Sequence, residues 1–135
     1  LLPCDSNPVQ NINHISPEST QSNYSLANLD SILMGLVDSA QVCVAHNAEF
    51  DKRFISLLST GQHILNKPWV CTKANFTWPA TLPRLRLEDI CNAMRVPYVN
   101  AHRALADCLL LAQCFQRVED LEARFEKALP TYAHT

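Results

Sequence analysis

The chain has no long apolar run: no stretch has the length or continuity of a membrane span, and no hydrophobic segment of the signal-peptide kind occurs, so nothing points to a membrane role. Paired cysteines are missing as well. Cys4, Cys43, Cys71, Cys91, Cys108 and Cys114 are scattered through apolar stretches with no C-x-x-C pair and no close zinc-type spacing, so they read as reduced, mostly buried thiols of a cytoplasmic protein. Basic charge is scarce. A net charge of −2 and a pI near 6.2 exclude a broad basic surface for nucleic acid, because such binding draws its affinity from neutralising many phosphates. Contact with a few nucleotides stays open. Repeats and low-complexity tracts are absent.

What is present is apolar content: 47% hydrophobic and 18% charged over 135 residues, enough for one compact domain and too apolar for a disordered tail. Residues 1–24 carry Pro3, Pro8 and Pro17 among many Asn and Ser, and read as an irregular amino-terminal segment on the surface. Leu26, Leu29, Leu33 and Leu36 recur at spacings of three and four, which predicts a helix ending near Asp38, capped by Ser25, with that stripe facing a core. The run Val42-Cys43-Val44-Ala45 predicts a strand buried on both faces. Asn47 is placed to cap a following helix whose stripe is Phe50, Phe54, Leu57 and Leu58, and Gly61 to end it in a left-handed turn.

Further along, Trp69-Val70-Cys71 predicts a second brief strand, followed by a short helix and loop through Trp78, Pro79 and Pro83. Leu87, Ile90, Cys91 and Met94 predict a small helix stopping before Pro97. Leu105, Leu109, Ala112 and Phe115 mark a long amphipathic helix that continues, or breaks into a second, through Phe125. Strands alternating with helices imply an α/β fold, which places functional groups at the carboxyl ends of its strands. Only about two strands are visible, fewer than a sheet normally has, and the shortage lies at the amino end.

Two segments carry the chemistry. Val44-Ala45-His46-Asn47-Ala48-Glu49-Phe50-Asp51 and His102-Arg103-Ala104-Leu105-Ala106-Asp107 resemble the second and third motifs of the DEDDh 3′-to-5′ exonucleases, the family of the polymerase proofreading subunit and ribonuclease T. The likeness extends to Asn13-His14-Ile15-Ser16-Pro17-Glu18, Trp69-Val70-Cys71-Thr72 and Leu87-Glu88-Asp89-Ile90-Cys91. The A-H-N-A-x-F-D string is fairly specific, H-x-A-x-x-D alone is weak, and their order and separation make the pair strong. The resemblance implies a ribonuclease H-like three-layer fold that hydrolyses phosphodiester bonds at single-stranded nucleic-acid 3′ ends with two Mg²⁺ or Mn²⁺ ions. It also implies Asp51 and Asp107 as metal ligands, His102 as the base that activates water, and His46, Asn47 and Ala104 near substrate. The physical logic is general: charge must be neutralised on the attacking and leaving oxygens, hard cations do this, and they prefer carboxylate oxygen.

The family's first motif, D-x-E on an opening strand, has no match before Leu26. Asp120-Leu121-Glu122 repeats the letters in a charged helical stretch, where 3.6 residues per turn set the two acids about 200° apart rather than on one side as a strand would. The chain is therefore expected to lack the amino-terminal strands of the fold and half of the metal cage, through truncation, loss of activity, or completion by a second copy or a partner chain. Phe50 and Phe54 have helical spacing, which argues for core rather than for base stacking. Lys73, Arg84, Arg86 and Arg103 read as solvated surface. The competing functional classes are a non-catalytic module binding nucleic acid or protein, and an assembly protein whose helices pack on a partner's.

Overall fold

The computed structural model describes residues 5–21 and 26–129. Within the amino-terminal segment the Asn-rich composition builds turns rather than a featureless loop. Gln10–Asn13 forms one helical turn (α1) and Glu18–Thr20 a 3-10 turn. Asn7 Nδ2 donates to Asn13 Oδ1 at 2.9 Å and to the Ile15 carbonyl, while Asn13 Oδ1 accepts the Ile15 N–H at 3.0 Å. Such side-chain bonds to nearby backbone are what make Asn a turn former. The remainder of the 1–24 reading, Cys4 and the expected cap Ser25 lie outside the described residues, as does the Leu26 side chain.

Among the described residues two strands form a sheet, β1 (Cys43–Ala45) and β2 (Trp69–Cys71), running parallel with Cys43 opposite Trp69, Val44 opposite Val70 and Ala45 opposite Cys71. Side chains alternate across a strand, and the two faces meet different helices. Val44 and Val70 point into the main core. On the other face Trp69 Nε1 donates to the Ile64 carbonyl at 3.2 Å, and Cys71 Sγ accepts the Ala48 N–H at 3.3 Å. These contacts bring in α3 (Ala48–Ile55) and α4 (Gly61–Leu65). Preceding β1 is α2 (Leu26–Ser39), linked to this side by the Asp38–His63 pair at 2.6 Å. Opposite lie α5 (Leu87–Ala93), α6 (Ala104–Phe115) and α7 (Leu121–Ala128). The result is an α/β arrangement in which a small parallel sheet is sandwiched between helices.

The core is concentrated on the α5–α7 side, where Val70, Ile90, Cys91, Val96, Leu110 and Cys114 are almost completely buried. Phe76, Trp78, Phe115 and Phe125 join it as an aromatic cluster with ring centroids 4.8–5.3 Å apart, and Trp78 lies flat on Phe115. Trp78 Nε1 donates to the Thr72 carbonyl at 3.0 Å, so the buried indole keeps a partner. The same bonds explain why residues 72–86 hold no helix, contrary to expectation: Asn75 accepts the Cys71 N–H and donates to the Ala128 carbonyl, and Pro79 and Pro83 withhold backbone donors.

The faces of the helices differ most from the periodic reading. α2 buries Val37 and half-buries Leu33, but leaves Leu29, Ile32 and Leu36 exposed. On α3, Phe50 is 57% and Phe54 55% exposed, and beyond its end Leu57 is 79% exposed, so this stripe is not core. The two rings pack on each other instead, with centroids 5.0 Å apart. α6 buries Leu110, Leu111 and Cys114 and exposes Leu105, Leu109 and Ala112, because a helix apolar around most of its girth presents whichever side meets its neighbours. The chain does break after Phe115 before resuming in α7. Gly61 opens α4 without a left-handed turn; it is glycine because a Cβ there would stand 2.1 Å from the Ile55 carbonyl oxygen. Of the described thiols only Cys91 and Cys114 are buried, with sulfurs 3.7 Å apart, and Cys108 is exposed.

β1 is half-buried rather than buried on both faces. The Cys43 N–H donates to the Pro68 carbonyl and the Ala45 carbonyl accepts the Thr72 N–H. These two residues therefore face β2, and alternation turns the N–H and C=O of Val44 to the opposite edge, which no described strand covers. Among the described residues no helix is long and apolar enough to cross a membrane.

The placement of the core is testable by urea denaturation. Ile90→Ala should cost about 2–5 kcal/mol. Leu57→Ser, at a site that periodicity assigns to the interior and that is 79% exposed, should stay within about 0.5 kcal/mol of the parent.

Candidate functional site

Both strands point their carboxyl ends at one groove of about 700 Å³. His46 and Asn47 leave β1 into it, and Asp51 follows in the first turn of α3. From the other side come His102, Ala104 at the start of α6 and Asp107 in its first turn. All six residues singled out from sequence thus line a single groove, although 50 residues of chain lie between Asp51 and His102. Lys73, Leu85, Arg86 and Tyr98 complete the walls.

Backbone geometry fixes these positions. Asn47 occupies the residue before α3 but makes no side-chain cap; it adopts a left-handed conformation, φ 72°, which turns the chain sharply from strand to helix. His102 is also left-handed, φ 69°, and its N–H donates to Asp107 Oδ1 at 2.9 Å. Asp107 therefore ties down the loop ahead of its own helix. Arg103 holds the same loop from outside, donating to the Asn13 and His14 carbonyls at 3.2 and 3.1 Å. The Tyr98 ring meets the His102 imidazole edge-on, 6.4 Å between centroids.

The charged groups are partly withdrawn from water. Burial holds the His46 imidazole below the ordinary histidine range, with Lys73 adding to the effect, and the Leu85 carbonyl, Asp107 and Asp51 opposing it. Its Nδ1 lies 3.0 Å from the hydroxyl of fully buried Thr72, so His46 serves as a fixed, neutral wall. Burial pushes the Asp51 carboxyl up, against the pull of its own backbone N–H and of His46. Keeping an acid in such a place costs stability, which is characteristic of functional positions.

The donor set does not fit the two-ion cage that the motifs imply. Among the described residues no three His, Cys, Asp or Glu side chains are grouped to hold a metal ion. Two carboxylates, one already bound to a backbone N–H, offset only half the charge of two divalent cations. Against known proteins, the chain matches no family model, no curated protein and no solved structure.

Of the four basic residues assigned to solvated surface, two line the groove. The Lys73 ammonium makes no hydrogen bond or ion pair among the described residues, whereas Arg86 is bound to Asp89 at 2.9 Å. Arg103 is committed to the amino-terminal segment, and Arg84 does not line the groove. Nothing in the sequence marks Tyr98 and Leu85. Both lie in irregular segments with no periodic signal, and only tertiary packing brings them to the site.

Replacing Asp51 by Asn tests the electrostatics without added metal. A raised carboxyl binds more protons folded than unfolded between its ordinary value of 3.8 and its folded one, so the charged form lowers stability above that window. Asp51→Asn should raise Tm at pH 7, and the gain should shrink toward zero as pH falls to 3.8. A variant less stable than the parent at pH 7 would contradict the burial argument.

Proposed function

We propose that the groove is the carboxyl-side half of a 3′-to-5′ exonuclease site of the DEDDh kind, on a ribonuclease H-like three-layer fold, which receives the 3′ end of single-stranded nucleic acid. The observation that carries this reading is the convergence of Asp51, His102 and Asp107 on one groove at the strand ends. Two unrelated segments with independent reasons to contain an acid rarely bring both acids and a loop histidine to the same place. In this reading His102 stands on a loop fixed by Asp107, able to take a proton from water at the scissile phosphate. His46 and Asn47 form the floor, and Ala104 leaves room for a sugar at the mouth of the groove.

The missing acids define the rest of the proposal. A strand laid along the open edge of β1 would pair with the Val44 backbone and reach the carboxyl end of the sheet beside Asp51 and Asp107. Mg²⁺ or Mn²⁺ belongs to the site completed in that way, not to the two carboxylates alone. The exposed apolar residues of α2, α3 and α6 are consistent with surfaces that pack on a further layer.

The incomplete donor set favours one other reading, a non-catalytic module that holds nucleic-acid ends without cutting them. One experiment covers both. With Mn²⁺ present, the chain should bind a single-stranded oligomer with a free 3′ hydroxyl more tightly than one blocked there, and release nucleotides at or near background. Calorimetric titration with Mn²⁺ should show weak heat lost in Asp51→Asn if the half-site contributes to a metal centre; silence in both proteins favours the binding module. Indifference to the 3′ end would sink the nuclease reading, and robust cleavage abolished by Asp107→Ala would refute the claim that these two carboxylates do not suffice for cleavage.

A further inference from the structure

Beside the acidic groove lies a second cavity of about 420 Å³. The two share Asn47, Lys73 and Leu85 as a common wall, so a chain leaving one passes over Lys73 into the other. Their charges differ. The groove presents Asp51, Glu88 and Asp107 against Lys73 and the Asp89-paired Arg86, while the second cavity presents Lys52 and Lys73 with Glu49 as its only acid among the described residues. Lys52 is engaged, 3.5 Å from Glu49 and over the Trp69 ring at 5.6 Å. The Lys73 ammonium has no partner among the described residues, and the residue is exposed.

The backbone N–H groups at the cavity floor are engaged by the Cys71 sulfur. Burial alone would push the Cys71 thiol up, yet the backbone N–H groups of Ala48, Lys73, Ala74 and Asn47 converge on its sulfur and bring it below the ordinary thiol value. The Ala48 N–H is 3.3 Å from Sγ. With those N–H groups taken up by sulfur, the ammonium of Lys73 is the group in this concavity that can attract an anion with several oxygens.

We infer that this second cavity is a phosphate subsite, which receives the backbone phosphate of a single strand whose 3′-terminal nucleotide occupies the acidic groove, with Lys73 as its principal contact. This deepens the proposed function and rests on it for the identity of the strand. It accounts for how an acidic protein holds a polyanion: repulsion at the two carboxylates is offset one phosphate away. It also specifies a substrate, since a mononucleotide can fill only the groove while a dinucleotide or longer engages both cavities.

The test uses the full chain in EDTA and compares inorganic phosphate, thymidine monophosphate and tetrathymidylate by amide shifts and by affinity. Inorganic phosphate should move the amide signals of Asn47, Ala48, Lys73 and Ala74. Tetrathymidylate should bind at least about tenfold tighter than the mononucleotide at low salt, with log K falling against log salt by about 0.7 less in Lys73→Gln, the contribution of one phosphate contact on a single strand. Lys73→Gln should bring the two affinities within about threefold, and Lys73→Arg should restore the difference, which separates loss of charge from misfolding. Absence of phosphate-dependent shifts at those amides, or an unchanged length preference in a folded Lys73→Gln, would overturn the subsite. Phosphate binding there without binding of either nucleotide would leave the subsite standing and remove the nuclease reading.

Discussion

Three residue pairs of parallel backbone, Cys43 with Trp69, Val44 with Val70 and Ala45 with Cys71, determine where everything else can go. Parallel strands end on the same side, so the residues leaving their carboxyl ends emerge together. His46, Asn47 and Thr72 do so, and the buried Thr72 hydroxyl meets the His46 ring within 3.0 Å. The strand pair is short, but Val70 is seated in the core with Ile90, Leu110 and Cys114, which gives the register a strong preference: a slip of one residue would turn Val70 away from that core.

From this anchor the site is assembled by two helix starts. Asp51 and Asp107 each lie in a first turn, where the positive end of the helix dipole favours a carboxylate, and both turns open on the groove. The dipole only partly compensates for Asp51, whose charged form is still disfavoured by burial. Asp107 has a structural duty as well, since its Oδ1 accepts the His102 N–H and holds a left-handed residue in place. The acids, the loop histidine and the free Lys73 are thus consequences of one chain path rather than separate features. The open edge of β1 belongs to the same path: the backbone that positions His46 is the backbone that remains unpaired on its other side.

Much of this is legible from sequence, because its signals are local. The alternation of strands and helices, the stop before Pro97 and the order of the two motifs need only neighbouring residues. Which side of each helix faces inward is not legible. α6 is apolar on nearly every side, and α3 carries Phe50 and Phe54 at core spacing on a face that no described element covers. Asn47 has the sequence position of a cap and is instead a left-handed hinge; Gly61 has that of a terminator and is instead a point of close backbone approach. Segment 72–86 reads as partly helical, but its Asn75 and Trp78 side chains satisfy backbone groups that a helix would have used. Tyr98 and the free state of Lys73 depend on contacts between distant segments, which periodicity does not encode.

The central claim, that one groove at the strand ends receives a nucleic-acid 3′ end, is tested most directly by paramagnetic relaxation from a nitroxide attached at the 3′ end of a short single-stranded oligonucleotide. The account predicts that amide signals of His46, Asp51, His102 and Asp107 broaden together, and that moving the label to the 5′ end spares them. Broadening centred away from the groove, or equal broadening from both labels, would contradict it.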